Sequence, residues 1–130
     1  MYLVDTNIII RFLTRDNEKM FLQVQRLFTQ ATAESLLIPD AICAEVVYVL
    51  QHVYHLSELE IADKLSRFIE FEAFKVNKKL LLHTLYLFAK EKVGFIDAYL
   101  LAKAKISDYD GVYSFDERLQ KIGDGKVISP

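Results

Sequence analysis

The chain has 130 residues, the usual size of one compact domain, and no Gly-, Pro- or Ser-rich stretch divides it. We therefore expect a single domain over residues 1–130. Hydrophobic residues make up 52% and aromatic residues 12%, which predicts a well-filled core with some apolar surface left for a partner. The net charge of −2 lacks the basic excess of many nucleic-acid-binding proteins, although charge alone neither supports nor excludes RNA.

Simple features of the chain exclude several classes of protein. Its uncharged stretches are far shorter than the roughly 20 residues that a membrane-spanning helix needs. The N-terminus has neither a basic leader nor a small-residue cleavage site, so we expect no secretory signal and a cytoplasmic protein. The single cysteine, Cys43, excludes an internal disulfide and a Cys-rich zinc site, and its apolar neighbours predict a buried, inert thiol.

Short runs of β-forming residues alternate with helix-length segments along the chain. The predicted strands are, in chain order, 2–4, 35–38, 73–76, 112–115 and 126–128. The predicted helices are 7–14, 18–31, 41–53, 57–70, 79–92, 98–106 and a short one around 117–122. Asn17 and Asp40 are candidate helix caps, and Ser57 with Glu60 is typical of a capping box. The alternation predicts an α/β fold with a parallel sheet.

The first acid of interest, Asp5, ends the apolar run of the first predicted strand. In open α/β sheets ligands bind beyond the carboxyl ends of the strands, which makes Asp5 a candidate ligand-binding residue. A cap of the following helix, made by Asp5 or Thr6, explains the same residue without any further function. Both interpretations remain open for this position alone.

Glu45 lies in a predicted helix that is otherwise apolar on all sides, so we expect its carboxylate to be at least partly buried. An unpaired buried carboxylate is energetically costly, and a partner or a metal ion is therefore expected. A buried salt bridge to Arg or Lys would meet the same requirement. From chemistry alone, Glu45 is the acid that most needs an explanation.

Two further acids occupy comparable places in the second half of the chain. Asp97 lies in the apolar segment around the start of a predicted helix, and Asp116 follows the fourth predicted strand. Each could simply cap the helix that follows it. Ser114, two residues before Asp116, is a possible hydroxyl partner.

Four acids at strand ends or helix starts can converge on one edge of a parallel sheet: Asp5, Glu45, Asp97 and Asp116. Their mutual repulsion would raise some of their pKa values unless cations were bound. Oxygen ligands favour Mg²⁺ or Mn²⁺ over zinc, and His52, His55 and His83 show no zinc-like spacing. We place His52 and His55 on a helix surface. Such a metal site suits phosphodiester hydrolysis, because the metal activates and orients water and offsets charge on the leaving oxygen.

The same residues, in this order, resemble the motifs of the PIN-domain family. The matching segments are Val4-Asp5-Thr6-Asn7-Ile8-Ile9, Glu45, Phe95-Ile96-Asp97-Ala98 and Ser114-Phe115-Asp116. They extend over nearly the whole chain. Since almost nothing lies beyond the domain, the chain looks most like the VapC-type toxins of bacterial and archaeal toxin–antitoxin pairs.

This resemblance implies a three-layer α/β/α fold with a central parallel sheet. It implies a metal-dependent endoribonuclease that cleaves structured RNA such as tRNA or rRNA, and a homodimer that binds a small cognate antitoxin. Asp5, Glu45, Asp97 and Asp116 match the family's acidic metal-binding set. Thr6, Asn7 and Ser114 match its supporting polar residues.

Gly94 departs from the family pattern, because many relatives carry an additional acid a few residues before the one matched by Asp97. We therefore expect one Mg²⁺ or Mn²⁺ ion, with a second weakly held or absent. Three alternatives remain: a general PIN nuclease that is not a toxin, a non-catalytic PIN-like module that binds RNA or protein, and a magnesium-dependent phosphatase. The phosphatase would need a second acid where Asn7 stands.

Overall fold

The computed structural model describes all residues, 1–130, and divides into an N-terminal unit, Met1–Lys78, and a C-terminal unit, Lys79–Pro130. Helices and strands alternate through both units, which confirms the predicted α/β class. The elements are β1 (Tyr2–Leu3), α1 (Thr6–Thr14), α2 (Glu18–Gln30), β2 (Leu36–Leu37), α3 (Asp40–His52), α4 (Glu58–Phe68), β3 (Phe74–Lys75), α5 (Lys78–Glu91), α6 (Phe95–Ile106), β4 (Val112–Tyr113), α7 (Glu117–Ile122) and β5 (Val127–Ile128).

The N-terminal unit contains a parallel three-stranded sheet in the order β1-β2-β3. Tyr2 pairs with Leu36, and Leu36 pairs with Phe74. Helix α1 packs against α2 and α3, and α3 packs against α4. Because the strands are parallel, the end of β1, where Asp5 follows, and the end of β2, where α3 begins, lie at the same edge of the sheet.

The helix starts of this unit follow local capping chemistry. The Asn17 side chain accepts a hydrogen bond from the Met20 N–H at 3.0 Å, and Ser57 and Glu60 form the predicted capping box. The predicted Asp40 cap is wrong. Pro39 occupies the cap position without a side-chain bond, and Asp40 is the first residue of α3. Asp40 instead places its charge in the first turn, where a helix favours an acid.

The C-terminal unit contains a second parallel sheet, formed by β4 and β5. A Cβ at Gly111 would lie 2.5 Å from the Lys126 carbonyl oxygen, so only glycine allows this close approach of the two segments. Helix α6 begins at Phe95, three residues earlier than the predicted start at residue 98. The Phe95 ring packs edge-on against Phe88 of α5, with 6.1 Å between ring centroids, and both side chains are buried.

All five predicted strands are present, each shorter than predicted, and the helices are present within a few residues of their predicted bounds. The helix-rich α/β composition with parallel strands is consistent with the three-layer α/β/α class. None of the seven helices combines the length and hydropathy needed to cross a membrane. Several large apolar side chains are exposed, as expected from the composition, including Tyr2, Tyr48 and Phe115.

Candidate functional site

Asp5 lies directly beyond β1 and at the N-cap of α1. Its backbone is extended (φ −83°, ψ 159°), and its Oδ1 accepts a hydrogen bond from the Thr6 N–H at 2.7 Å. The capping interpretation is therefore correct, but it uses only one carboxylate oxygen. The side chain is exposed at the carboxyl edge of the sheet, which leaves it accessible to a ligand.

Glu45 lies in the middle of α3 and is exposed, so the expectation of a partly buried carboxylate is wrong. Apolar residues surround it in sequence, yet Ala41 and Tyr48, one turn away on either side, are exposed as well. Glu45 forms no salt bridge. Its Oε2 instead accepts a hydrogen bond from the Thr6 hydroxyl at 2.7 Å. The salt-bridge alternative is therefore wrong too.

Thr6 connects the two acids of the N-terminal unit. Its backbone N–H donates to Asp5, and its hydroxyl donates to Glu45, which is 39 residues further along the chain. The Thr6 side chain is only 6% exposed, so these bonds are made by a residue that packing holds in place. Asn7, the next residue of α1, is exposed beside this pair in the first helical turn.

The chemistry of this pair fits a hard divalent cation. The hydrogen bonds from Thr6 occupy Oδ1 of Asp5 and Oε2 of Glu45, leaving Asp5 Oδ2 and Glu45 Oε1 without a protein donor. No Lys or Arg neutralises either carboxylate. Exposed, unneutralised carboxylate oxygens are the donors that Mg²⁺ and Mn²⁺ prefer.

Asp97 lies in the C-terminal unit as the third residue of α6. The interpretation of Asp97 as a helix N-cap is wrong, because Gly94 occupies that position with an extended backbone and no side-chain bond. Asp97 is half-buried in the first turn, where the helix dipole favours a negative charge. A Cβ placed on Gly94 would lie 3.6 Å from Asp97 Oδ2. The position that departs from the family pattern therefore lies directly beside this carboxylate.

Asp116 follows β4 and caps α7, with its Oδ1 accepting the Leu119 N–H at 2.9 Å. The Ser114 hydroxyl accepts a hydrogen bond from the Asp116 backbone N–H at 3.0 Å, so Ser114 supports the Asp116 backbone and not its carboxylate. Gln120 donates to the Ser114 carbonyl oxygen at 2.7 Å, which closes this turn. Sequence reasoning missed the role of Gln120, because a glutamine within a short helix carries no distinctive signal.

The structure brings Asp5, Thr6 and Glu45 together, and it places Asp116 beside Ser114. No hydrogen bond joins Asp97 to Asp116. Neither unit by itself groups three or more His, Cys, Asp or Glu side chains in a metal-binding arrangement. The convergence of all four acids on one metal ion therefore stays a prediction.

The remaining candidate ligand types are accounted for by simple structural roles. Cys43 is buried, as predicted, and its burial raises the pKa of the thiol to about 12, which keeps it protonated and unreactive. His52 is exposed on the last turn of α3, as expected. His55 is exposed but lies beyond the helix, in a left-handed conformation with φ 57°.

An apolar groove on the N-terminal unit was missed by the sequence analysis. It has a volume of about 560 Å³ and is lined mainly by the phenylalanines of α1, α2, α4 and the segment around β3, with Lys64 and Arg67 at its rim. The lining phenylalanines are Phe12, Phe28, Phe68, Phe71 and Phe74. Their spacing in the sequence is typical of ordinary amphipathic helices, so only the folded chain reveals the groove.

The family model described as the PIN domain matches residues 2–125. The chain is similar to the VapC ribonuclease of Aquifex aeolicus (strain VF5), with 29% identity over 133 aligned positions, and the alignment covers 100% of this chain and 97% of the relative. No solved structure gives a significant match.

Proposed function

Because the chain belongs to the PIN-domain family, we propose that this nuclease is a Mg²⁺- or Mn²⁺-dependent endoribonuclease and the toxin of a toxin–antitoxin pair. The observation that carries the proposal is the Asp5–Thr6–Glu45 arrangement. Two carboxylates distant in sequence are joined through one buried threonine, and each keeps an exposed oxygen without a cationic partner.

We propose that Asp5, Glu45, Asp97 and Asp116 hold one metal ion. Thr6, Asn7 and Ser114 would support the site. When bound, the ion would lower the pKa of a water molecule and offset negative charge on the scissile phosphate. Thr6 fixes the orientation of Glu45, and Ser114 fixes the backbone from which Asp116 projects. An acid in place of Gly94 would lie beside Asp97, so its absence supports one strongly held ion over two.

The metal dependence is tested by incubating purified protein with structured RNA such as tRNA or rRNA. We expect cleavage with Mg²⁺ or Mn²⁺ and none with a chelator. The Asp5→Asn protein is the matched control, because asparagine keeps the helix cap but removes the charge. Equal cleavage in the presence of chelator would contradict the metal mechanism, whereas RNA binding without cleavage by the unaltered protein would favour a non-catalytic module.

The apolar groove supports a protein partner, which we propose is the cognate antitoxin. An apolar segment of that partner could occupy the phenylalanine-lined groove, and acidic residues flanking the segment would face the Lys64 ammonium. Phe71 is 43% exposed at this groove, so Phe71→Glu should weaken binding of the antitoxin without changing RNA cleavage.

We expect the antitoxin to be encoded by a neighbouring gene, as a small protein with a DNA-binding segment and an apolar tail. Without such a gene, and with harmless overexpression, the protein would be a general PIN nuclease.

We also propose that the protein acts in the cytoplasm as a homodimer. Helix α2 supports self-association, because Met20 and Leu27, which are seven residues apart and therefore share a helix face, are apolar and 45% and 42% exposed. Light scattering of the purified protein measures the oligomeric state directly. A monomer at micromolar concentration would contradict the dimer but not the nuclease.

A further inference from the structure

Helix α3 carries an exposed stripe that continues from Glu45 toward the C-terminus of the helix. The stripe consists of Ala41, Glu45, Tyr48 and His52, which are three or four residues apart and therefore lie on one helix face. The opposite face supplies the buried residues Cys43, Val46, Val47 and Leu50. The side chains of the stripe are consequently presented to solvent together with the Glu45 carboxylate.

The Tyr48 and His52 rings of this stripe contact each other. Their centroids are 4.5 Å apart, and their planes are inclined by 42°. Tyr48 is 62% exposed. The contact between the rings restricts both of them while leaving aromatic surface accessible.

The position of this ring pair relative to Glu45 follows from helix geometry. Tyr48 is three residues after Glu45 and lies about 4.5 Å further along the helix axis, and His52 lies about 10.5 Å further along. Glu45 is itself held by the Thr6 hydroxyl, so the distance between the carboxylate and the rings is set by a rigid helix. A polynucleotide with its phosphate near Glu45 would bring an adjacent nucleotide to the rings.

We infer that Tyr48 and His52 form a stacking platform for one unpaired nucleobase of the RNA substrate, next to the scissile phosphate. This inference rests on the proposed nuclease function. Unpaired bases commonly stack on aromatic side chains, and an aromatic platform accepts any base because every base has a π-face. The platform would select single-stranded loops over duplex segments, because a base in a duplex is already stacked.

The test uses a fluorescently labelled single-stranded RNA and the same sequence within a duplex, with both binding and cleavage measured. Tyr48→Ala should weaken RNA binding by about 5- to 150-fold, whereas Tyr48→Phe should retain it. His52→Ala should have a smaller effect in the same direction, because His52 positions the Tyr48 ring. Tyr86→Ala is the matched control. Tyr86 is also exposed and near a histidine, His83, but it lies on α5 without a candidate metal-binding acid.

A substrate-side change distinguishes stacking from a general loss of affinity. In this experiment an abasic nucleotide replaces each nucleotide near the cleavage site in turn. At one of these positions the replacement should weaken RNA binding as much as Tyr48→Ala does. At that position the abasic nucleotide and Tyr48→Ala together should weaken RNA binding no more than either change alone, since both remove the same contact. Additive effects at every position would overturn the inference.

The remaining outcomes separate this inference from the proposed function. RNA binding that depends on Tyr48, with no cleavage under any metal condition, would support the platform and overturn the nuclease. Metal-dependent cleavage with unchanged binding in Tyr48→Ala would overturn only the platform. If Tyr48→Ala changes the oligomeric state while RNA binding per folded protomer is unchanged, the stripe is an interface between copies, and the inference is overturned as well.

Discussion

Glu45 of the N-terminal unit is held by a contact between distant segments, whereas Asp116 of the C-terminal unit is held locally. Glu45 of α3 is bonded to Thr6 of α1, which also donates to Asp5. Asp116, by contrast, bonds only to the helix that it caps and to the turn that precedes it. The position of Glu45 relative to Asp5 therefore depends on the packing of α1 against α3, while the position of Asp116 depends on one turn of backbone.

Removal of the charge from any of the four acids should have the largest effect on cleavage. We expect Asp5→Asn, Glu45→Gln, Asp97→Asn and Asp116→Asn each to lower kcat/KM by more than about 100-fold, because loss of an outer-shell partner alone costs 10- to 100-fold. Glu117→Gln, which alters the exposed acid next to Asp116, is the control and should retain activity. Full activity in the Glu45 or Asp97 variant would remove that residue from the proposed site.

The second largest effect should come from the long-range contact of the N-terminal unit. Thr6→Val keeps the shape of the side chain and the backbone bond to Asp5, but it removes the hydroxyl that donates to Glu45. We expect a 10- to 100-fold loss in apparent Mg²⁺ or Mn²⁺ affinity, measured from the metal dependence of cleavage. Thr6→Ser retains a hydroxyl and should largely preserve the affinity. An equal loss in both variants would show that packing, not the hydrogen bond, matters here.

Asp116 allows the structural and chemical roles of one carboxylate to be separated. Asp116→Ser keeps a side-chain oxygen for the Leu119 N–H and should abolish cleavage with little change in stability. Asp116→Ala should abolish cleavage and also cost about 1 kcal/mol of unfolding free energy, because the cap of α7 is lost. Urea titration followed by circular dichroism measures the difference between them. A stable, active Asp116→Ser protein would reduce Asp116 to a helix cap.

The same distinction between local and long-range contacts explains how much could be predicted from the sequence. Strand and helix periodicities, together with the Asn17 cap and the capping box of α4, depend on neighbouring residues and were predicted correctly. The start of α6 was misplaced because an acid is equally favourable as a cap and within the first turn. The exposure of Glu45 was misjudged because Ala41 and Tyr48 are apolar in type but exposed. The Thr6–Glu45 contact joins residues too distant for sequence periodicity to reveal.

A second long-range contact of the N-terminal unit predicts a small dependence of stability on pH. Tyr54, which follows α3, donates to Asp16 at 2.6 Å, and Arg11 of α1 donates to both Asp16 oxygens at 2.9 Å. These bonds, with that from Tyr54 the largest contribution, lower the pKa of Asp16 in the folded state.

Because the pKa of Asp16 is lower in the folded than in the unfolded chain, its stabilising contribution is present above the usual Asp value of about 4. That contribution is lost as the pH falls through the folded value. Asp16→Asn should therefore lower the melting temperature slightly at pH 7 and have progressively less effect in more acidic solution.

Glu117→Gln serves again as the control, and thermal unfolding between pH 7 and pH 2 provides the measurement. A decrease in melting temperature that is independent of pH would mean that Asp16 acts through its shape or hydrogen bonds and not through its charge. The packing of α1 near Asp5 and Glu45 would then not depend on this ionised carboxylate.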